Sequence, residues 1–178
     1  MKILILLCTI LLHAVSVRAA CTDGAAVADP RARVAVVFEQ PQHFTDMKYT
    51  KAEQTSVALL DELHKFMCEM GERYVPIGMQ AEIKVTDIDL AGDFEPWRGP
   101  QFDQVRITRD IYPPRIFLEF RLTDDSGGVV SEGKRELRDI GYQSRLVRPP
   151  DDYLRYEKDI LRDWFRSEFS GPRHAVKE

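Results

Sequence analysis

The most constraining feature of the sequence is a pair of strand-like segments joined by the turn TDDSGG. In the first segment, PPRIFLEFRL, apolar residues occupy every second position, which is the pattern of a strand with one buried face. The second segment, VVSEGKRELRD, places Glu132, Lys134 and Glu136 on one face. Glycine-rich turns between alternating runs favour antiparallel pairing. The sequence therefore predicts a β-hairpin over residues 115–138.

Two further segments have the composition of strands. RVAVVFEQ, residues 33–40, is apolar on both faces, which is typical of a strand in the interior of a sheet. In MQAEIKVTDIDLAG, residues 79–92, the apolar positions change phase between Val85 and Ile88. Because strand side chains alternate strictly between two faces, this change requires one extra residue. We therefore expect a β-bulge near Thr86 and Asp87.

Two segments have the spacing of amphipathic helices. The apolar stripe of the first consists of Val57, Leu60, Leu63, Met67, Met70 and Tyr74, widened by Leu59 and Phe66. Gly71 and Pro76 are expected to end this helix. The second helix follows Pro150, with Asp151 or Asp152 as its capping residue. Its stripe consists of Tyr153, either Tyr156 or Glu157, Ile160 and Trp164, beside Leu161 and Phe165.

The order of these segments is strand, helix, three strands and helix, or β-α-β-β-β-α. A mainly antiparallel sheet of about four strands, with both helices packed on one face, buries every apolar stripe in a single core. The predicted fold class is therefore α+β, with one domain over residues 33–169. Residues 20–32 have the composition of a flexible leader, and residues 170–178 have that of a polar tail.

Residues 1–19 have the pattern of a secretory signal peptide. A basic start precedes an apolar run from Ile3 to Val15, and a small-x-small cleavage motif ends at Ala19. The run is shorter than the roughly 20 residues that span a bilayer, so we expect cleavage after Ala19 and no transmembrane segment in the mature chain. Lipid anchoring at Cys21 is the alternative. It is disfavoured because Arg18 stands where a lipoprotein signal carries an apolar residue.

Charge and cysteine content narrow the class of function. The formal net charge is −4, and it becomes −6 when Lys2 and Arg18 leave with the signal. An acidic chain disfavours nucleic acid as a partner, because that binding depends on neutralising phosphates. The two remaining cysteines, Cys21 and Cys68, can form a disulfide in an oxidising compartment, or Cys68 can be a buried helix thiol. The sequence leaves both possibilities open.

An acidic stretch, VTDIDLAGDFEPW, follows the predicted bulge at residues 85–97. Its carboxylates, at Asp87, Asp89, Asp93 and Glu95, are weak candidates for the ligands of a hard cation. Calcium prefers about six to eight oxygens in a wrapped loop, whereas apolar residues alternate with these acids. The other interpretation is an acidic strand edge that discourages pairing with further strands.

Other catalytic and metal-binding motifs are missing from the sequence. It has no GxSxG, HExxH, HxH or CxxC motif, and the histidines after the signal, His43, His64 and His174, are scattered. This inventory disfavours serine and cysteine hydrolases and zinc or copper sites, and no cofactor is expected. Carboxylates are plentiful enough for a glycosidase, but any acidic protein meets that condition.

The connection between the second and third predicted strands combines aromatic and arginine residues. It carries Trp97, Arg98, Phe102, Arg109 and Tyr112. Both residue types are enriched where proteins bind partners. Long connections are either functional or disordered. The alternative is that the aromatic side chains pack into the core while the arginines pair with the acidic strand.

Four stretches taken together resemble one bacterial family. VVFEQPQHFTD, VTDIDLAGDFEPW, VRITRDIYPPRIFLEFRL and LRYEKDILRDWF lie in this order over about residues 33–166. In order and spacing they are similar to the family known as domain of unknown function 3016. Members are small exported proteins of Gram-negative bacteria, so the resemblance implies a periplasmic location. It implies no activity and supplies no catalytic residues.

These observations lead to one functional hypothesis and one rival. We expect a non-enzymatic periplasmic domain that binds a protein or another envelope component through residues 87–115. The candidate binding residues are Asp87, Asp89, Glu95, Trp97, Arg98, Phe102, Arg109, Asp110 and Tyr112. The rival is a cation-dependent or carboxylate-based enzyme that uses the acids of residues 87–95, and it requires them to converge on one cavity. The oligomeric state stays open.

Overall fold

The computed structural model describes residues 32–50, 55–147 and 149–170. The predicted signal peptide lies outside these residues, as do the predicted leader before residue 32 and the tail after residue 170. The helices are α1 (Val57–Tyr74) and α2 (Arg155–Phe169). The strands are β1 (Val34–Phe38), β2 (Met79–Asp89), β3 (Asp93–Phe94), β4 (Arg106–Ile107), β5 (Arg115–Asp124) and β6 (Val129–Arg138). Within the described ranges, no helix has the length and apolar character needed to cross a membrane.

Four strands form the main sheet in the order β1-β2-β5-β6. β1 is parallel to β2, because α1 carries the chain back between them, and the other two pairs are antiparallel. β3 and β4 form a separate two-stranded ribbon. The main sheet confirms the α+β prediction, and β5 with β6 is the predicted hairpin.

One hydrophobic core lies between the sheet and the two helices. The sheet contributes alternate residues of β1, β2 and β5, including Val36, Ile83 and Leu118. The helices contribute Leu59, Leu60, Leu63, Met67, Met70, Ile160, Leu161, Trp164, Phe165 and Phe169. Val57 is exposed at the first position of α1, so the buried stripe of this helix begins at Leu59 and not, as predicted, at Val57.

β1 occupies an edge of the sheet, so the prediction of an interior strand is wrong. Its second face is apolar but open, and Val37 on that face is 42% exposed. A side chain rather than another strand covers part of the free edge. His64 of α1 hydrogen-bonds the backbone of Val36. Apolar composition on both faces therefore did not distinguish an interior strand from an edge covered by a helix.

The predicted bulge is present in β2. The register against β5 shifts between Val85 and Asp87, which makes Thr86 the extra residue. Because of this shift, Val85 and Ile88 are both fully buried although they are three positions apart. The carboxylates of Asp87 and Asp89 are consequently only partly buried and available to other parts of the chain.

α1 ends at Tyr74, between the two residues predicted to close it, Gly71 and Pro76, and it continues through Gly71. The glycine serves packing instead. A Cβ built on Gly71 would lie 2.0 Å from Cγ2 of Val34 in β1, far inside van der Waals contact. The helix and the strand can therefore approach this closely only because residue 71 has no side chain.

α2 begins at Arg155 with Leu154 in the N-cap position, so the predicted aspartate cap is wrong. Asp152 acts just before the helix. Its Oδ1 accepts a hydrogen bond of 2.8 Å from the Leu154 N–H, and its Oδ2 lies 2.7 Å from Nζ of Lys158. Of the two alternatives for the buried stripe, Glu157 is the one enclosed in the protein.

The face of the sheet opposite the helices is charged. Lys84 and Lys134 flank Glu119 from the two neighbouring strands and pair with it at 3.1 and 2.5 Å. In the next row, Arg121 of β5 pairs with Glu132 of β6 at 3.1 Å. Charges of opposite sign therefore lie side by side across the strands, which is a favourable arrangement for cross-strand pairs.

Candidate functional site

Residues 90–114 join β2 to β5 and carry most of the candidate residues; we call this connection the 90–114 loop. Near its start, Gly92 has a φ of 83° and donates its N–H to the Tyr112 carbonyl at 3.0 Å. A Cβ at this position would lie 2.8 Å from the Ile107 carbonyl oxygen. Glycine is therefore required at residue 92 for the two limbs of the loop, residues 90–98 and residues 106–114, to meet.

Glu95 belongs to the 90–114 loop, and its side chain is turned inwards, so that the residue is only 1% exposed. Its Oε1 accepts a hydrogen bond of 3.3 Å from the Tyr112 hydroxyl. Its Oε2 lies 3.2 Å from Nη2 of Arg109 and 3.5 Å from Nε of Arg98. These two distances are those of ion pairs, although the groups lack the alignment of hydrogen bonds. One buried carboxylate therefore attracts guanidinium groups from both limbs of the loop.

Trp97 is directed into solvent two residues after this carboxylate. It lies in the short 3-10 helix Pro96–Arg98 and is 70% exposed. The guanidinium of Arg98 lies 5.3 Å from the ring centre of Phe102, which is a cation–π contact. Ile111, on the second limb, is also exposed and was not among the predicted residues. The loop therefore exposes two large apolar side chains, Trp97 and Ile111, close in sequence to the arginines that pair with Glu95.

A tyrosine outside the loop braces the second limb. The buried hydroxyl of Tyr142 donates to the Arg109 carbonyl at 2.9 Å, and the Tyr112 N–H donates to the same carbonyl at 2.9 Å. Tyr142 packs edge to face on Tyr156 of α2, with 4.7 Å between the ring centres. Asp110 is exposed in the turn that this carbonyl closes. Tyr142 thereby connects the loop to α2, because its hydroxyl bonds to Arg109 and its ring packs on Tyr156.

Asp87 and Asp89 contact the framework of the domain. The two carboxylate oxygens of Asp87 accept hydrogen bonds from the Thr45 N–H and hydroxyl, both at 2.7 Å. Asp89 pairs with Arg115 of β5 at 2.6 Å. From the sequence, Asp87 and Asp89 are expected either to orient the loop arginines or to meet a basic partner; in the structure the carboxylate beside Arg98 and Arg109 is that of Glu95.

The four carboxylates proposed as weak metal candidates do not converge. Asp93 is exposed, and its Oδ1 accepts the N–H of Phe94 at 2.7 Å, whereas Glu95 is buried under the loop. In the described part of the chain, no group of three or more His, Cys, Asp or Glu side chains is arranged to hold a metal ion. The acidic stretch therefore distributes its side chains over separate partners.

The family model described as "Protein of unknown function (DUF3016)" matches residues 32–167 of the chain. The chain belongs to the DUF3016 family. The matched range includes the main sheet, the 90–114 loop, α1 and most of α2, and it confirms the resemblance carried by the four sequence stretches. No curated protein and no solved structure matches the chain. Because the family is described as one of unknown function, membership assigns no activity to the chain.

In this DUF3016 domain, a buried arginine anchors the first limb of the loop. Nη1 of Arg106 lies 2.6 Å from Oδ2 of Asp46 and donates to the Gly92 carbonyl at 2.8 Å. Its Nε donates to the Tyr153 hydroxyl at 2.9 Å, and its guanidinium lies 4.6 Å from the ring centre of Phe94. Burial disfavours the cation, but the hydrogen bond and charge of Asp46 outweigh burial and raise the pKa of Arg106.

Two carboxylates near this arginine were not predicted from the sequence. Burial raises the pKa of Asp46, although Arg106 opposes the shift. Glu157 of α2 is 1% exposed, and burial raises its pKa to about 7. Its Oε1 accepts the N–H of Ala91 at 2.7 Å. The helical stripe already contained a signal for Glu157, because this residue is in phase with Ile160, but no local pattern distinguishes Asp46.

Cys68 of this DUF3016 domain is disulfide-bonded, and the other cysteine of the bond lies outside the described residues. The pairing of Cys21 with Cys68 stays a prediction for that reason. One turn earlier on α1, Nδ1 of His64 lies 3.8 Å from the Cys68 sulfur. Burial lowers the pKa of His64 and so favours the neutral ring.

Proposed function

We propose that this DUF3016 protein is an exported, non-enzymatic domain of the bacterial periplasm that recognises another envelope protein through its 90–114 loop. The observation that carries the proposal is the exposure of Trp97 above Glu95, a buried carboxylate that holds two arginines. Tryptophan and arginine supply a large share of the binding energy at protein interfaces. Leaving an indole in water does not stabilise the fold, so its exposure favours a role in recognition.

The surface is also ordered before any partner arrives. The side chains of Arg98 and Arg109 are 42% and 44% exposed, whereas Glu95 is 1% exposed. Glu95 therefore positions the two donors without occupying the surface that a partner covers. Side chains that are already fixed lose less entropy on binding. A partner that covers Trp97 meets directional hydrogen-bond donors on the same loop.

Export is supported by the sequence of residues 1–19 and by the disulfide at Cys68. Residues 1–19 have the charge, apolar run and cleavage motif of a signal peptide, and they lie outside the described residues. A disulfide at Cys68 fits an oxidising compartment, because cytosolic thiols are kept reduced. Together with the family resemblance, these features favour the periplasm.

The rival function, an enzyme that uses the carboxylates of residues 87–95, is less well supported. Such an enzyme needs acids that face one substrate. Asp87 instead binds Thr45, Asp89 pairs with Arg115, and Glu95 is covered by the loop. The separate partners of these carboxylates therefore favour recognition over catalysis.

Partner capture in living cells tests the proposal. The tagged protein is expressed with its own signal, crosslinked in the periplasm and purified as wild type, Trp97→Ala and Ile77→Ala. Ile77 is the matched control, because it is 92% exposed and precedes β2, whereas Trp97 follows this eleven-residue strand. We expect Trp97→Ala to capture at least about 30-fold less partner, the equivalent of about 2 kcal/mol. Ile77→Ala should capture as much as the wild type.

A second variant, Arg109→Ala, removes one of the two guanidinium groups at Glu95. Melting curves of all variants establish that each is folded before capture is compared. A partner set that is the same for wild type, Trp97→Ala and Arg109→Ala rejects the proposed surface. Failure of the wild type to capture any specific envelope protein rejects the binding function itself.

A further inference from the structure

We infer that a second copy of this chain pairs with β6, edge to edge and antiparallel, so that two sheets become one continuous sheet. β6 has ten residues and is the last strand in the sheet order. No backbone group in the described ranges bonds to its outer edge. A free edge of this length is a template for another strand. The inference concerns a surface other than the 90–114 loop and does not depend on the proposed function.

The direction of the backbone groups follows from the hairpin. Asp124 donates its N–H across the turn to the Gly128 carbonyl at 2.9 Å. Along β5, every second residue then bonds to β6, and Phe120, which is opposite Gly133, is one of them. Gly133 consequently bonds inwards, towards β5. The residues on either side of it direct their N–H and C=O groups outwards, to the free edge.

Glu132 and Lys134 are these two outward residues, and their side chains are accessible as well. The side chain of Glu132 is 56% exposed and that of Lys134 is 83% exposed, although each forms an ion pair within the sheet. The Lys134 carbonyl accepts a hydrogen bond of 3.0 Å from the Arg135 guanidinium. A carbonyl oxygen has two lone pairs, so it retains the capacity to accept a bond from a second strand.

When β6 of one copy pairs with β6 of a second copy, one register places opposite charges across from one another. Antiparallel pairing about a two-fold axis places residues at equal distances from the axis opposite one another. With the axis at Gly133, Glu132 faces Lys134 of the second copy, and Lys134 faces Glu132 of the second copy. Opposite charges directly across two strands stabilise the pairing. This axis also lies at the middle of β6.

The neighbouring registers bring like charges together. An axis at Glu132 places that residue opposite its own copy, and an axis at Lys134 does the same with a cation and also places Glu132 opposite Glu136. An axis between two residues sets outward groups of one strand against inward groups of the other, so no ladder forms. Charge usually protects an edge strand from association. Here the order Glu-Gly-Lys favours a single partner, which is a second copy of the same strand.

Sedimentation velocity of the mature protein over about 1–300 μM measures the dissociation constant of this dimer. We expect Lys134→Glu to raise that constant at least about tenfold, because both cross-strand pairs become Glu–Glu pairs. The matched control is Lys84→Glu. Lys84 pairs with the same Glu119 on the same face, at 3.1 Å, but its strand is interior, so the constant should not change.

Exchange of the two charges supplies a second measurement. In the double variant Glu132→Lys with Lys134→Glu, the two cross-strand pairs are again of opposite sign, and dimerisation should return. Amide hydrogen exchange at Lys134 should also slow as the wild-type concentration rises. The inference is wrong if the wild type is monomeric throughout this range. It is also wrong if Lys84→Glu weakens the dimer as much as Lys134→Glu, or if the Lys134 amide exchanges at the same rate at every concentration.

Discussion

Glu157 accepts the backbone N–H of Ala91 at 2.7 Å and thereby joins the first turn of α2 to the start of the 90–114 loop. Its second oxygen has no hydrogen-bond partner among the described residues. Burial disfavours the ionised carboxylate and raises its pKa to about 7. The loop that carries the candidate binding surface is therefore attached to the core through a group that titrates near neutral pH.

Replacing Glu157 with Gln should change the pH dependence of the free energy of unfolding. The folded pKa of about 7 lies above the unfolded value of 4.5, so the folded protein retains a proton between these pH values. The resulting stabilisation is complete below pH 4.5 and is lost as the pH rises to about 7, by roughly 3 kcal/mol. Gln still accepts from Ala91 and cannot ionise. In urea unfolding, the variant should exceed the wild type in stability at about pH 8 and nearly equal it at about pH 5.

Glu69→Gln is the control for this measurement, because Glu69 is exposed on the outer face of α1. Its stability relative to the wild type should not vary with pH over the same range. His64 acts in the opposite direction, since its lowered pKa makes stability fall as the pH drops below 6.5. That contribution is common to all three proteins and cancels in the comparison. Parallel pH profiles for the wild type and Glu157→Gln would contradict the role given to Glu157.

Gly71→Ala should destabilise the protein although it lies within a helix. Alanine normally stabilises a helix interior by about 1 kcal/mol relative to glycine. Here the new Cβ would lie 2.0 Å from Cγ2 of Val34, so we expect a loss of about 1–3 kcal/mol in urea unfolding. Combining it with Val34→Ala should cost less than the sum of the two single changes. Strict additivity would show that the two residues are not coupled.

Arg106→Met should lower the free energy of unfolding by about 3–5 kcal/mol, because it leaves the buried Asp46 carboxylate without its guanidinium. The side chains of Asp46 and Arg106 are each 9% exposed, and their atoms lie 2.6 Å apart. Adding Asp46→Asn should recover part of the loss. Arg121→Met is the control, and we expect a change within about 1 kcal/mol because the side chains of Arg121 and its partner Glu132 are both more than half exposed. Equal losses for the two arginines would contradict the anchoring role of Arg106.

Calcium should leave the melting temperature unchanged. An ion present at about one hundred times its dissociation constant would add about 2.7 kcal/mol to stability. Asp87, Asp89, Asp93 and Glu95 have separate partners, so we expect no such gain in thermal unfolding with and without the ion. A rise that disappears in Asp89→Asn would instead support the cation-dependent rival and argue against a purely recognition function.

Local periodicity was sufficient to predict the elements of this fold. The alternation in β5 and β6 predicted the hairpin, and the change of phase between Val85 and Ile88 predicted the bulge that the β2 register shows. The helical stripe from Leu59 onward predicted α1. These predictions succeeded because helix and strand periods depend only on which near neighbours share a face. The spacing of four such stretches was also sufficient to indicate the family.

Only the tertiary structure decided which residues each element meets. β1 is apolar on both faces and still lies at an edge, since α1 rather than a strand covers its free side. Glycine is common at helix ends, but Gly71 lies inside α1, where it faces Val34 of β1. Glu157 and Ala91 are 66 positions apart in the chain. A carboxylate in the sequence looks the same whether it will be solvated or enclosed, because the cost of burying it arises only when distant segments exclude water from around it.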